Sequence, residues 1–313
     1  MTKVEMVKVS DDDGDIRVDR WFKRNYPNIS HSAIEKALRK GQIRVDGKKT
    51  KSNERVQAGQ EIRVPPFDSK VKAHNESEKK ILNLSKKQLD EFNSWVIFED
   101  SDILVINKPS GLSVQGGTGV GKSVDTFLSN LSKDGIQLRL VHRLDKDTSG
   151  VLIIAKNAKT ATWLTEYFRT KKIKKYYLAV TKGIPKPLRG AINQPIKKDD
   201  QGAREKMICA VDGKKSLTNY ITIDKSKDVA LLQLEPETGR KHQIRVHLLS
   251  IGCPILGDGK YGGRDAFIDN LSNKLHLHAQ KIEFKNPHGK KLSFTAGLPY
   301  HIKETIGRFG FKI

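Results

Sequence analysis

The sequence predicts an α+β fold in two parts. A small domain of helices and short strands occupies residues 1–66. A larger domain over 91–313 carries a mixed, largely antiparallel sheet with flanking helices, and a linker over 67–90 joins the two. Three observations carry this expectation. The stretch "PPFDSKVKAHNESEKKILNLSKKQLD" is polar, rich in lysine and opens with two prolines, which breaks the chain into separately patterned segments. Before it, apolar residues recur at helical spacing. After it, strand-like runs dominate and helices only intervene. A chain of 313 residues is long enough for one substantial core and a small accessory domain.

In the first part, "DIRVDRWFKRNYPN" places Ile16, Val18, Trp21, Phe22 and Tyr26 at near-helical intervals and stops at Pro27. A second helix is expected in "SHSAIEKALRKGQ", where Ser32 and Glu35 have capping-box spacing and Gly41 supplies the stop. "QIRVDG" and "QEIRVP" alternate apolar and polar residues as short strands do. A short helix is expected near the end of the linker. In the second part, "SWVIFEDSDILVINKPSG" reads as two strands around an Asp-Ser-Asp turn. The runs "VLIIA", "YYLAV", "LTNYITI", "VALLQLEP" and "LHLHAQKIEF" follow as strands, with helices at about 160–172 and 241–251.

Charge narrows the partners. Lys and Arg number 58 against 36 Asp and Glu, a formal charge of +22. An excess of this size suits a polyanion, because each neutralised phosphate releases counterions. Eight basic residues, among them Lys36, Arg39, Lys40, Arg44, Lys48 and Lys49, fall between 36 and 55 against only Asp46 and Glu54. This run is either a solvated face or a grip on a phosphate backbone. No run of 18 apolar residues and no signal-peptide core occurs, so the expectation is a cytoplasmic protein without a membrane partner. Two cysteines, Cys209 and Cys253, exclude a disulfide framework or a four-thiolate zinc site.

"GGTGVGKS", residues 116–123, matches the phosphate-binding loop of nucleotide triphosphatases letter for letter. That loop needs a buried strand running straight into it and an aspartate closing an apolar strand to hold magnesium. Here "ILVIN" ends at Lys108-Pro109-Ser110-Gly111, several residues too early, and "VLIIA" closes on Lys156. A helix after Ser123, in "VDTFLSNLS", is the only part of the context that fits.

Three other segments carry chemistry. "RLVHRLDKDTSGVLIIAKN", 139–157, gathers a histidine, an arginine and two aspartates in a turn feeding a wholly apolar strand. Such charges cost stability unless they are paired or used. "KHQIRVHLLSIG" reads as a helix stopped by Gly252 and Pro254, with Lys241 and Arg245 one turn apart. In "KKYYLAVTKG" strand alternation puts Tyr176, Leu178 and Val180 on one face and Tyr177 with Ala179 on the other. Each segment alone also reads as ordinary structure: a braced turn, a basic solvent-facing helix, packing tyrosines.

Taken in order, "HRLDKDTSG", "KYYLAV", "TGRKHQIRVH" and "GCPILGDGKYGG" closely resemble the RluA-type pseudouridine synthases, and "INKPSGLSVQGGTG" belongs to the same pattern. The basic helix and "KGQIRVDGKK" turn of the first part resemble the alpha-L RNA-binding module. The resemblance covers almost the whole chain, and "VQGGTG" looks closest to a branch that modifies large-subunit ribosomal RNA. It implies a pseudouridine synthase fold behind an alpha-L domain. It also implies a ribosomal RNA substrate and isomerisation of uridine without metal or nucleotide cofactor. The glycine-rich stretch is then a family loop near the active cleft, and nothing demands more than a monomer.

By the same resemblance Asp145 is the carboxylate that acts on the ribose, as nucleophile at C1′ or base at C2′. Arg245 is the cation paired with it, Tyr177 stacks on the target base, and Ile244 helps floor the pocket. Arg143 fills the stack vacated by a flipped uridine, while Asp147 and Thr148 brace the turn. His276 and His278 share a strand face but lack a third ligand, so no metal site is expected. Two departures lie beside the motifs: Cys253 where many relatives have histidine, and Lys241 in place of a frequent threonine.

Overall fold

The computed structural model describes residues 4–67, 84–116, 122–132, 138–199 and 206–312. They fall into two units, one within 1–81 and one within 82–313. In the first, β1 (Glu5–Lys8) and β2 (Ile16–Arg17) precede α1 (Val18–Asn25) and α2 (His31–Arg39). Short strands β3 (Arg44–Val45), β4 (Lys48–Lys49), β5 (Arg55–Val56) and β6 (Glu61–Val64) follow. Trp21 and Phe22 of α1 and Ile34 and Leu38 of α2 bury their apolar stripes against Ile43, Val56 and Ile62. The sheet order is β1-β6-β3-β4, with β2 pairing β5 separately. One local expectation is corrected. The cap of α2 is Ser30, whose hydroxyl accepts from the Ala33 N–H, and Ser32 lies inside the first turn. Gly41 ends the helix at a φ of +65°.

The second unit opens with α3 (Lys86–Ser94), capped by a Ser85–Gln88 box, so the expected linker over 67–90 ends in a helix. Then come β7 (Val96–Glu99), β8 (Ile103–Lys108), α4 (Val124–Leu131), β9 (Arg139–Leu140), β10 (Ser149–Ala155) and α5 (Ala158–Arg169). After these run β11 (Lys174–Lys182), β12 (Arg189–Ile192), β13 (Ile196–Lys198), β14 (Met207–Cys209), β15 (Thr218–Ser226) and β16 (Val229–Pro236). Helix α6 (Gln243–Ser250), β17 (Leu277–Lys285), β18 (Lys291–Thr295) and α7 (Tyr300–Phe309) complete the unit. Among the described residues ten of these strands form one sheet, whose spine runs β12-β15-β16-β11-β17-β10-β8-β7. Every pairing in it is antiparallel except β10 with β17.

The apolar run "VLIIA" is explained by burial on both faces. Leu152 and Ile154 pack with Phe92 of α3 and Phe127 of α4, while Val151, Ile153 and Ala155 pack with Leu164 of α5. Strand β11 is apolar on both faces too. Leu178 and Val180 meet Ile302 and Ile306 of α7, and Ala179 meets Ile244 and Leu248 of α6. The parallel contact of β10 with β17 is close. Gly150 sits at a φ of +116°, and a Cβ there would lie 2.2 Å from the Ala279 carbonyl oxygen, so only glycine fits.

Candidate active site

Asp145 sits in the turn between β9 and β10, and the turn is built from both sides. The preceding His142 stacks on Phe168 at 4.3 Å, and its Nε2 accepts from the Ile153 N–H at 2.8 Å. Burial pushes that imidazole down to about 3, so it stays a neutral acceptor. Leu144 anchors the turn in the core. Beyond Asp145 the backbone is clamped by "KPSG" at the end of β8. The Lys108 ammonium, fully buried, donates to the carbonyls of Pro109, Leu112 and Lys146 at 2.8–3.0 Å. The Ser110 hydroxyl donates to the Asp147 carbonyl, and the Gly111 N–H to that of Lys146. The expected brace at Asp147 thus runs through its backbone, while Thr148 is buried and donates its N–H to the Asp145 carbonyl.

Two clefts meet at this turn. The first, about 590 Å³, is lined by Asp145, Tyr177, Ile244 and Arg245 together with Arg143 and Lys241. All five sequence-expected residues of the larger domain therefore share one cavity. The second, about 580 Å³, shares Arg143, Asp145, His242 and Arg245 and adds Lys146, Lys260 and Lys274. Burial raises the Asp145 carboxyl above its ordinary value, opposed by the charges of Arg245, Arg143, Lys241 and Lys108. Tyr177 is raised as well, by burial and then by the Asp145 charge. A bulge delivers this tyrosine. Opposite β17, Tyr176 pairs Lys281 but Tyr177 pairs Ala279, leaving Gln280 as an extra residue.

Arg245 departs from the expected arrangement. Its Nε and Nη2 donate to the two carboxylate oxygens of Asp258, both at 2.7 Å, and it makes no salt bridge with Asp145. Asp258 is 1 % exposed, in the "GDGKYGG" turn after α6. There a Cβ on Gly257 would meet the Lys274 carbonyl oxygen at 2.1 Å. Tyr261 completes the cluster. Its ring lies 4.9 Å from the Arg245 guanidinium carbon, its N–H donates to Asp258, and its hydroxyl is bonded to His242 at 2.6 Å. The expected helix over 241–251 begins only at Gln243, because His242 takes a left-handed φ of +55°.

Sequence reasoning missed Lys108, Asp258 and Tyr261 as site residues, although all three lie inside the quoted motifs. A lysine closing an apolar strand was the available signal for the first. His276 and His278 are spent separately, the former between Leu256 and Thr305, the latter between Ser149 and Ala296. Burial pushes both down to about 4. Cys253 is buried with its thiol toward the Ile251 carbonyl. In the first unit Lys36, Arg39, Lys40, Arg44, Lys48 and Lys49 lie on the C-terminal half of α2, just beyond it, and on β3 and β4. All six are exposed. Of the glycine-rich stretch, 117–121 lie outside the described residues. Ser123 caps α4 through the Thr126 N–H.

A family model described as RNA pseudouridylate synthase matches residues 102–250. "Ribosomal large subunit pseudouridine synthase C" of Vibrio cholerae is 35 % identical over 97 % of this chain and 96 % of its own. The protein of that name from Buchnera aphidicola is 38 % identical over 93 % and 92 %. Among solved structures, human RNA pseudouridylate synthase domain containing 4 is 28 % identical. It superposes with a TM-score of 0.60 over 72 % of this chain and 96 % of its own.

Proposed function

From the premise that this chain belongs to the RNA pseudouridylate synthase family, we propose that it isomerises specific uridines of large-subunit ribosomal RNA with Asp145 acting on the ribose. The chain is an RNA pseudouridine synthase, and its relatives' names supply the substrate class. The observation that carries the residue assignment is the shared cleft: a carboxylate, an aromatic ring and a cation converge there on a turn held rigid from both sides.

The reaction breaks the bond from C1′ to N1, turns the uracil and joins C1′ to C5, after which the C5 proton leaves and N1 takes one up. No electrons are gained or lost, and the reading invokes no metal or nucleotide. A uridine in folded RNA must first leave its stack, at a cost of a few kcal/mol. Arg143, exposed beside Asp145, fills the gap; Tyr177 stacks on the extruded base, and Ile244 floors the pocket. Asp145 then attacks C1′ or removes the C2′ proton. Its half-buried carboxyl is kept usable by four surrounding cations. The first unit serves as an alpha-L module whose basic residues hold the RNA backbone. The enzyme works as a monomer in the cytoplasm. No helix among its described residues is long and apolar enough to cross a membrane.

The test is pseudouridine mapping of ribosomal RNA from cells lacking this gene, rescued with wild type or Asp145→Asn. Sites restored by wild type alone are expected. Purified wild-type protein that modifies no ribosomal RNA would end the reading. Asp145→Asn should bind RNA with turnover lost.

A further inference from the structure

Arg245 was expected to clasp Asp145, yet its two strongest donors go elsewhere. Two charges taken out of water need good geometry and further hydrogen bonds to be tolerated, and the Asp258–Arg245 pair has both. Nε and Nη2 meet Oδ2 and Oδ1 in parallel, Tyr261 caps the guanidinium face, and the Tyr261 N–H shares Oδ1. The third nitrogen, Nη1, donates to no protein acceptor among the described residues. Both clefts include Arg245 and Asp145, so the arginine faces the carboxylate without gripping it.

A two-point salt bridge commits one lone pair on each oxygen of a carboxylate and fixes its orientation, which leaves it less free to turn toward carbon or a proton. One that merely lies near a fixed cation keeps its negative charge and its free oxygens. We propose that Asp258 is a positioning residue, which engages Arg245 by two nitrogens so that the arginine lends charge to Asp145 while leaving its oxygens free to react. Tyr261 supports the same arrangement by packing over the guanidinium and by tying the turn to His242 and to the Met207 N–H. The inference deepens the reading of Asp145 above and rests on it.

Several groups face Asp145. Arg245 comes from α6, Arg143 from its own turn, Lys241 from the loop before α6 and Lys108 from the end of β8. Tyr177 on β11 and Tyr261 in the turn after α6 also sense its charge. Replacing Asp258 by asparagine leaves those groups in place but removes the negative charge that offsets Arg245. The full guanidinium charge then acts on Asp145 and lowers the pH at which it ionises. Since Asp145 works ionised, the acidic limb of kcat/KM should move to lower pH by about one unit.

The experiment measures kcat, KM and the pH profile on unmodified ribosomal RNA for wild type, Asp258→Asn and Asp258→Glu, with thermal melts of each. For Asp258→Asn we expect the limb to move down and kcat to fall about tenfold, with KM changed less than about threefold. Asp258→Glu keeps the charge but pushes the guanidinium a methylene toward Asp145. There kcat should fall about fivefold or more, with the limb moved down by less than in Asp258→Asn because the negative charge is kept. A folded Asp258→Asn protein with an unmoved limb overturns the inference, since a purely structural role lowers only the melting temperature. If that variant does not fold, Asp258→Glu decides, and a kcat within about twofold of wild type overturns it. A wild type without turnover would instead end the reading of Asp145 itself.

Discussion

At Lys108 a whole lysine side chain lies in the core, its ammonium bonded to carbonyls rather than to a carboxylate. Burial pulls that ammonium down to about 7, against the pull of Asp147 and Asp145. Three N–H donors meet three carbonyls, which is the full donor capacity of an ammonium. Two of the acceptors belong to its own loop, and the third belongs to the residue after Asp145, so this lysine fixes where the Asp145 carboxylate sits. Lys108→Met should orphan all three carbonyls and cost about 3 kcal/mol or more of stability. Urea denaturation measures that loss. Single-turnover rates should fall further than the unfolded fraction explains, because the turn carrying Asp145 relaxes. Full activity in the folded fraction would show that the clamp does not position the carboxylate.

The elements divide the labour of placing Asp145 and Tyr177. Strand β10 leaves the turn that carries Asp145 and lies parallel to β17, with Ser149 opposite His278 and Gly150 opposite Ala279. Ala279 is in turn the partner of Tyr177 across the bulge in β17. The distance from the Asp145 carboxylate to the Tyr177 ring is therefore set by two strand pairings in series. Gly150→Ala pushes a methyl into the Ala279 carbonyl at an unfavourable φ. A strained backbone of this kind costs about 1–3 kcal/mol before the clash is counted. A drop of several degrees in melting temperature is expected, together with a lower kcat. An unchanged melt would mean that the strands part easily there.

For the whole molecule the charge of +22 is the governing number. The exposed lysines and arginines of the first unit suit a phosphate backbone. Substituting Lys36, Lys48 and Lys49 by alanine in the full chain should weaken RNA binding. It should also flatten the plot of log affinity against log salt by about two, since each phosphate no longer neutralised removes roughly 0.7–0.9 from the slope. Titration of affinity against potassium chloride reads this directly. A slope equal to that of wild type would remove the first unit from RNA binding while leaving the chemistry of the second untouched.

Much of this was legible in the chain itself, where the cause is local. The short apolar runs "VLIIA" and "YYLAV" dictate buried strands, and Gly41 and Gly252 stop helices. Asp100 closes the turn between β7 and β8 through the N–H groups of Asp102 and Ile103. Motif order marked Asp145, Tyr177, Ile244 and Arg245, and all four line one cleft. What the chain could not show was who meets whom across distance. The partner of Arg245 was read as Asp145, about a hundred residues away, whereas the fold chose Asp258 in the turn that follows α6. A turn against Lys274, open only to glycine at 257, aims Asp258 at the guanidinium. Nor does sequence announce a buried lysine: Lys108 is tolerated because three carbonyls from two segments converge on it. Composition, periodicity and motif set the elements and the reactive groups. Ion-pair choice and the satisfaction of buried charge depend on desolvation and on long-range register, and only the folded chain decides those.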